Sequence, residues 1–178
     1  MEKKLFGVLL MLSVICFAFA LPSVSACHKS ATLLSTGDGD NIMETGEVIV
    51  WHIQIYIANV GDELPLSDWT NVVVKDNFGA ELELASVLTP SLGTSAISWT
   101  QGGSNQLRIL WTVGNLPVNA HATLDFDIRT DHNPAGKQEY TSPGEYALNS
   151  GANMKCIVNG HQGSLTMDPI MVTILPQD

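Results

Sequence analysis

Between residues 47 and 62 one stretch constrains the fold more than any other: Ile49, Trp51, Ile53, Ile55 and Ile57 occupy every second position and are all large and apolar. Side chains on a strand alternate between faces, so this set predicts one dry face. The intervening Val48, Val50, His52, Gln54, Tyr56 and Ala58 mix polar with apolar groups, as a partly wet face does. The pattern predicts a long strand at the centre of a sandwich. Asn59-Val60-Gly61-Asp62 ends it with residue types that tolerate left-handed backbone and form side-chain turns.

The same period recurs downstream. Leu107, Ile109, Trp111 and Val113 alternate with Arg108 and Thr112, and Ala122, Leu124, Phe126 and Ile128 alternate with Thr123, Asp125, Asp127 and Arg129. Leu148, Ser150, Ala152, Met154, Cys156 and Val158 share one parity, and Ile170, Val172 and Ile174 predict a last strand. Turn-forming clusters separate these runs: Gly102-Gly103-Ser104-Asn105, Asn133-Pro134-Ala135-Gly136, Ser142-Pro143-Gly144 and Asn159-Gly160. Short strands at this spacing, with no helical period, predict an all-β chain built as an antiparallel two-sheet sandwich.

The chain opens with Lys3 and Lys4, an apolar run over 5–21, and small residues Val24 and Ala26 at minus three and minus one from Cys27. That is the pattern of a secretory signal peptide cut before Cys27. The run is short for a membrane anchor and Pro22 interrupts it. Residues 1–26 are therefore expected to be a leader and 27–178 a single exported domain, secreted or displayed at the cell surface. Cys27 has three open readings: lipidation, because Val24-Ser25-Ala26-Cys27 matches a lipoprotein box; a disulfide with Cys156 in an oxidising compartment; or a thiol, with Cys156 a small buried apolar residue. Only lipidation would bring the mature chain to a membrane. Loss of Lys3, Lys4 and Glu2 with the leader takes the net charge from −10 to −11. So acidic a surface argues against nucleic acid and anionic lipid, and leaves cationic partners, calcium among them, open.

Asn59-Val60-Gly61-Asp62, Pro65-Leu66 and Asn71-Val72-Val73-Val74-Lys75-Asp76 together resemble the core of the prokaryotic surface repeat catalogued as domain of unknown function eleven. Residues 80–87 stand where that family carries its next strand. Ile97-Ser98-Trp99-Thr100 and the segment 107–116 resemble its tryptophan strand, and 121–130 the strand after it. Asn77-Phe78-Gly79 departs from the family's Leu-Pro turn. The resemblance covers about residues 45–130 and implies an immunoglobulin-like sandwich of an exported surface protein, here in a single copy. Its motifs consist of turn and core residues and imply no activity.

Candidate chemistry is sparse. Asp38 and Asp40 open a turn cluster with the spacing of a calcium loop, but Ile42 stands at the third ligand position and the closing glutamate is missing. His28, His52, His121, His132 and His161 fall in five segments with no pair at ligand spacing. Glu81 with Glu83, and Asp125 with Asp127, sit on outward parities, where a solvated face explains them better than acid and base roles. No nucleophile elbow, phosphate loop or zinc-hydrolase pair occurs, so no catalysis is expected. Surface sandwiches sometimes carry a Lys-to-Asn isopeptide bond. Lys75 and Lys155, with Asn149 or Asn153 as partner, would be the candidates, yet both lysines have outward parity and no such bond is expected. Trp51 and Trp111 read as core, whereas Trp69, among Ser67, Asp68 and Thr70, reads as a loop aromatic available to a ligand.

These features predict a structural or adhesive surface module whose partner is a surface protein or a glycan. A lipid-tethered or secreted carbohydrate-binding protein using Trp69 is one alternative. A filament subunit is another: the stretch 27–39, set off by the turn at Gly37 to Asn41, looks loosely attached and able to complete a neighbour's sheet in a homo-oligomer. The alternation also sets a direct expectation. Ile53→Ala should lower stability by about 2 to 5 kcal/mol, against less than about 0.5 for Gln54→Ala. Denaturant midpoints measure both, and equal shifts would mean that the faces are reversed.

Overall fold

The structure, a computed structural model, describes residues 26–99, 106–130 and 140–177. The expected leader up to residue 25, His132, and the turn clusters at 102–105 and 133–136 lie outside the described residues. The described residues form strands β1 (Cys27–Ser35), β2 (Val50–Ala58), β3 (Trp69–Asn77), β4 (Leu82–Leu84), β5 (Thr89–Pro90), β6 (Thr94–Trp99), β7 (Leu107–Leu116), β8 (His121–Thr130), β9 (Gly144–Ala147), β10 (Asn153–Val158), β11 (His161–Thr166) and β12 (Met171–Ile174). They contain no helix.

One sheet runs β1-β2-β8-β4, with β5 also on β8; the other runs β11-β10-β3-β7-β6; β9 and β12 form a separate ribbon. Every strand pair is antiparallel. The chain is thus an all-β, immunoglobulin-like two-sheet sandwich. The expected central strand is β2, flanked on both sides and paired with β8 from Val50↔Arg129 to Ala58↔His121 without a break. That register puts Trp51, Ile53, Ile55 and Ile57 beside Ala122, Leu124, Phe126 and Ile128 on one face, all buried. The other sheet answers with Val72, Val74, Leu107, Ile109, Trp111, Met154 and Val158. Phe78 and Phe126 meet edge to face between the layers at 5.6 Å.

Two turns show why the punctuation works. Asn159 (φ 51°) and Gly160 (φ 78°) both take left-handed backbone, the two-residue hairpin that joins β10 to β11. Asn59 is buried, and its Nδ2 donates to Ser67 O at 2.8 Å and Leu116 O at 3.0 Å, pinning the end of β2 to two neighbouring segments. Gly61 follows at φ 82°.

Several expectations need correction. Residues 27–39 are not loosely attached: β1 pairs with β2 from Cys27↔Ile57 to Ser35↔Val50, Cys27 is buried, and Ala31 and Leu33 pack on the core. The sequence hid this because two of the inward positions carry Lys29 and Ala31. The parity expected from 148 to 158 does not run through one strand; the chain bends between β9 and β10, and Ser150 is exposed. β11 was unreadable, since this edge strand carries a single large apolar residue, Leu165, and so shows no alternation. Deleting residues 27–35 should therefore strip cover from Ile53, Ile55 and Ile57 and lower the denaturant midpoint followed by tryptophan emission. An unchanged midpoint would show that β1 adds nothing to the fold.

Candidate functional site

The most unusual chemistry lies inside the sandwich. In β1 the register Lys29↔Ile55 places Lys29 on the inward face with Cys27, Ala31 and Leu33. In β3, Asp76 shares the inward parity of Val72 and Val74 and is 1% exposed. Lys29 Nζ lies 3.4 Å from Asp76 Oδ2, and neither side chain has any exposed surface. Asn149, between β9 and β10 and 1% exposed, donates from Nδ2 to the same Oδ2 at 2.9 Å. Its own Oδ1 accepts the Ile170 N–H at 3.0 Å. Asp76 Oδ1 is buried with no hydrogen-bond partner. An amine, a carboxyl and a carboxamide from three remote segments thus meet at one oxygen.

Burying an ion pair costs more than its attraction returns unless hydrogen bonds complete it. Burial pushes the Asp76 carboxyl upward against the opposing pull of Lys29 and of the Asn149 amide. Burial likewise pulls the Lys29 amine downward, opposed by Asp76. Both directions favour the neutral amine beside the neutral acid.

Trp69 is not a loop aromatic. It starts β3, is 2% exposed, and its Nε1 is buried without a partner. A bulge between Trp69 and Val72, with Asn71 at φ 53°, shifts parity so that both face inward. Asp38 and Asp40 cap their own turn: Asp38 Oδ1 accepts the Asp40 N–H at 3.1 Å and Asp40 Oδ1 accepts the Ile42 N–H at 2.7 Å. Among the described residues no three His, Cys, Asp or Glu side chains gather as metal ligands.

Histidine instead marks the outer face of the first sheet. His52 Nδ1 lies 2.9 Å from Asp127 Oδ1, and Gln54 Nε2 donates to Asp125 Oδ1 at 2.8 Å. Tyr56 bridges His28 and His121 with ring centroids 5.0 and 5.7 Å away. This row of aromatic and acidic groups was legible from the outward parity of β2 and β8, but its continuation onto His28 required the β1 register. The paired acids divide: Glu83 binds Arg129, with Nε donating to Oε1 at 2.6 Å, while Asp125 and Asp127 serve the histidine row.

Cys27 and Cys156 are buried thiols not joined by a disulfide. A lipid on the Cys27 sulfur would have to draw this residue, 4% exposed, out of the core. Burial pushes the Cys27 thiol up from 9.0 to about 11, against a hydrogen bond from the Ala58 backbone. Cys156 is pushed up by burial too.

No family model matches the chain. An uncharacterized protein of Archaeoglobus fulgidus is similar at 36% identity over 139 residues, covering 78% of this chain and 47% of that protein. The chain therefore spans about half the length of the curated relative it matches. Among solved structures, the full-length major pilin SpaD from Corynebacterium diphtheriae is similar with a TM-score of 0.47 and 11% identity, over 83% of this chain and 34% of that one. A 35 kDa C-terminal fragment of the major pilin GBS80 of Streptococcus agalactiae gives a TM-score of 0.44 and 13% identity, over 84% and 56%. The cohesin module of a family 33 glycoside hydrolase from Clostridium perfringens gives 0.43 and 9%, over 86% and 100%. At these identities and scores such likenesses bear on neither the activity nor the partners of this chain.

The thiols supply a check. In the native protein at pH 8 both should resist alkylation, and both should label once the chain is unfolded without reductant. A raised folded-state value means that the native thiol keeps its proton where the unfolded one loses it, so stability should fall as pH rises from 9.0 through about 11. Failure of either thiol to label in denaturant until a reductant is added would establish a disulfide instead.

Proposed function

We propose that this chain is an exported β-sandwich module of the cell surface or extracellular space with a structural or adhesive role and no turnover chemistry. The observation that carries this reading is where its polar groups are used. The buried cluster of Lys29, Asp76 and Asn149 described above links β1 to β3 and to the turn after β9, so it ties the fold together instead of facing a substrate. Polar side chains on the outer faces pair across strands, as His52 with Asp127 and Glu83 with Arg129 do. The leader pattern, with cleavage before Cys27, supports export. Membership of the surface repeat family named above is part of the same proposal. The roles of its motif residues support it: Asn59 pins the strand end, Gly61 takes positive φ, and Asp76 turns inward.

A second reading has an observation of its own. Glycan binding needs an aromatic surface beside hydrogen-bonding groups, and the His28, Tyr56 and His121 ladder next to Gln54 and Asp125 offers both, in place of the buried Trp69. Strand donation to a neighbour has less support, because β1 is paired within its own sheet.

Protease treatment of intact cells should remove the protein while cytoplasmic markers survive; full protection would refute surface display. For the glycan reading, Tyr56→Ala should reduce retention on an immobilised-sugar panel at least tenfold without moving the denaturant midpoint. A panel that retains the wild-type chain nowhere would leave the structural reading alone.

A further inference from the structure

We propose that Lys29 and Asn149 form an intramolecular isopeptide bond, with Asp76 as the proton shuttle. The inference stands on the buried cluster itself and does not depend on where the protein is displayed. Lys75 and Lys155, the lysines that the sequence offered, are exposed on the outer face of the second sheet; among the described residues Lys29 is the lysine that enters the core.

The geometry supplies each part of an aminolysis. The nucleophile must be a neutral amine, and burial in a dry interior beside an acid favours that form. Within the pair the ammonium and carboxylate interconvert with amine and carboxylic acid by moving one proton from Nζ to Oδ2, across the 3.4 Å contact. The electrophile is the Cγ of Asn149, whose carbonyl oxygen already accepts the Ile170 N–H at 3.0 Å, a donor placed to stabilise developing negative charge. The leaving nitrogen, Nδ2, sits 2.9 Å from the same carboxyl oxygen that holds the amine. Holding both reactants at one acid replaces a bimolecular encounter with a local one.

The step balances without any co-reactant. The Nζ lone pair forms the bond to Cγ; one Nζ proton passes to Asp76; Asp76 returns a proton to Nδ2; and the Cγ–Nδ2 bond breaks to release ammonia. The product is a secondary amide between β1 and the turn after β9. Asp76 begins and ends with the same proton count. Its partnerless Oδ1, costly in a finished core, becomes the oxygen free to bond the new amide. A surface cleft is lined by Lys29 and by Ile170, the residue whose N–H holds the Asn149 carbonyl, and the released ammonia leaves on that side.

The test is the intact mass of the native full chain, measured after denaturation and reduction, followed by peptide mapping. The chain should be one ammonia lighter than the mass calculated from the N-terminus it carries, and a branched peptide should join the segments that carry Lys29 and Asn149. Lys29→Met and Asn149→Ala should each restore the full mass. Asp76→Ala should also do so although both reacting side chains remain; a bond formed without Asp76 would overturn its role as shuttle. Full mass in folded wild-type protein overturns the proposal, and so does ammonia loss without the branched peptide, as a succinimide elsewhere would give. Should the variants fail to fold, the wild-type peptide map decides the matter by itself.

Discussion

The pairing of β2 with β8 is the interaction on which the remaining structure depends. It runs in unbroken register, so the pleat delivers one continuous apolar surface from Ile57 and Ala122 at one end to Trp51 and Ile128 at the other. A slip of a single residue would turn that whole set to solvent and bring His52, Gln54, Asp125 and Asp127 inside. β1 and β4 extend the surface at its edges, and the second sheet closes over it. Everything inside the molecule, including its charges, is placed by that register.

Where pleat and sequence agree, the fold was legible. Clean alternation in β2, β7 and β8 marked both the strands and their inward faces, and the same parity correctly turned Lys75 and Lys155 outward. The errors have local causes. Trp69 was misplaced because a bulge at Asn71 resets parity, and a bulge leaves little trace in sequence beyond one asparagine. Asp76 was within reach, since the rule that sends Lys75 out must send Asp76 in with Val72 and Val74. Lys29 was obscured for the opposite reason: a lysine at an inward position breaks the apolar alternation and makes the strand look like a linker. Asn149 follows no period, because the chain bends between β9 and β10 and its orientation is a tertiary fact.

The two faces of the first sheet illustrate how context assigns roles to one residue type. Asp125 and Asp127 on the outside are partly solvated and hold His52 and Gln54, where salt and water limit what such pairs contribute. Asp76 reaches the interior, so its state is set by burial, which raises its pKa, against the amine of Lys29, the amide of Asn149 and the Asn77 backbone, which lower it. A surface carboxylate can lose a partner at little cost. Removing a partner from the buried one leaves an uncompensated group in a low dielectric.

The positions of the three buried groups along the chain bear on the order of events during synthesis. Ribosomes make protein from the N-terminus, so Lys29 appears early, Asp76 in the middle and Asn149 late. Until β10 and the segment around Ile170 have been made, the amine has no closed interior to enter, and it stays hydrated and charged. Contacts this distant in sequence form only after much loop entropy has been lost, which places their assembly late in folding. The cluster therefore reports completion: a chain truncated before the last strands keeps an ordinary lysine on an ordinary edge, and only the finished sandwich makes that lysine reactive.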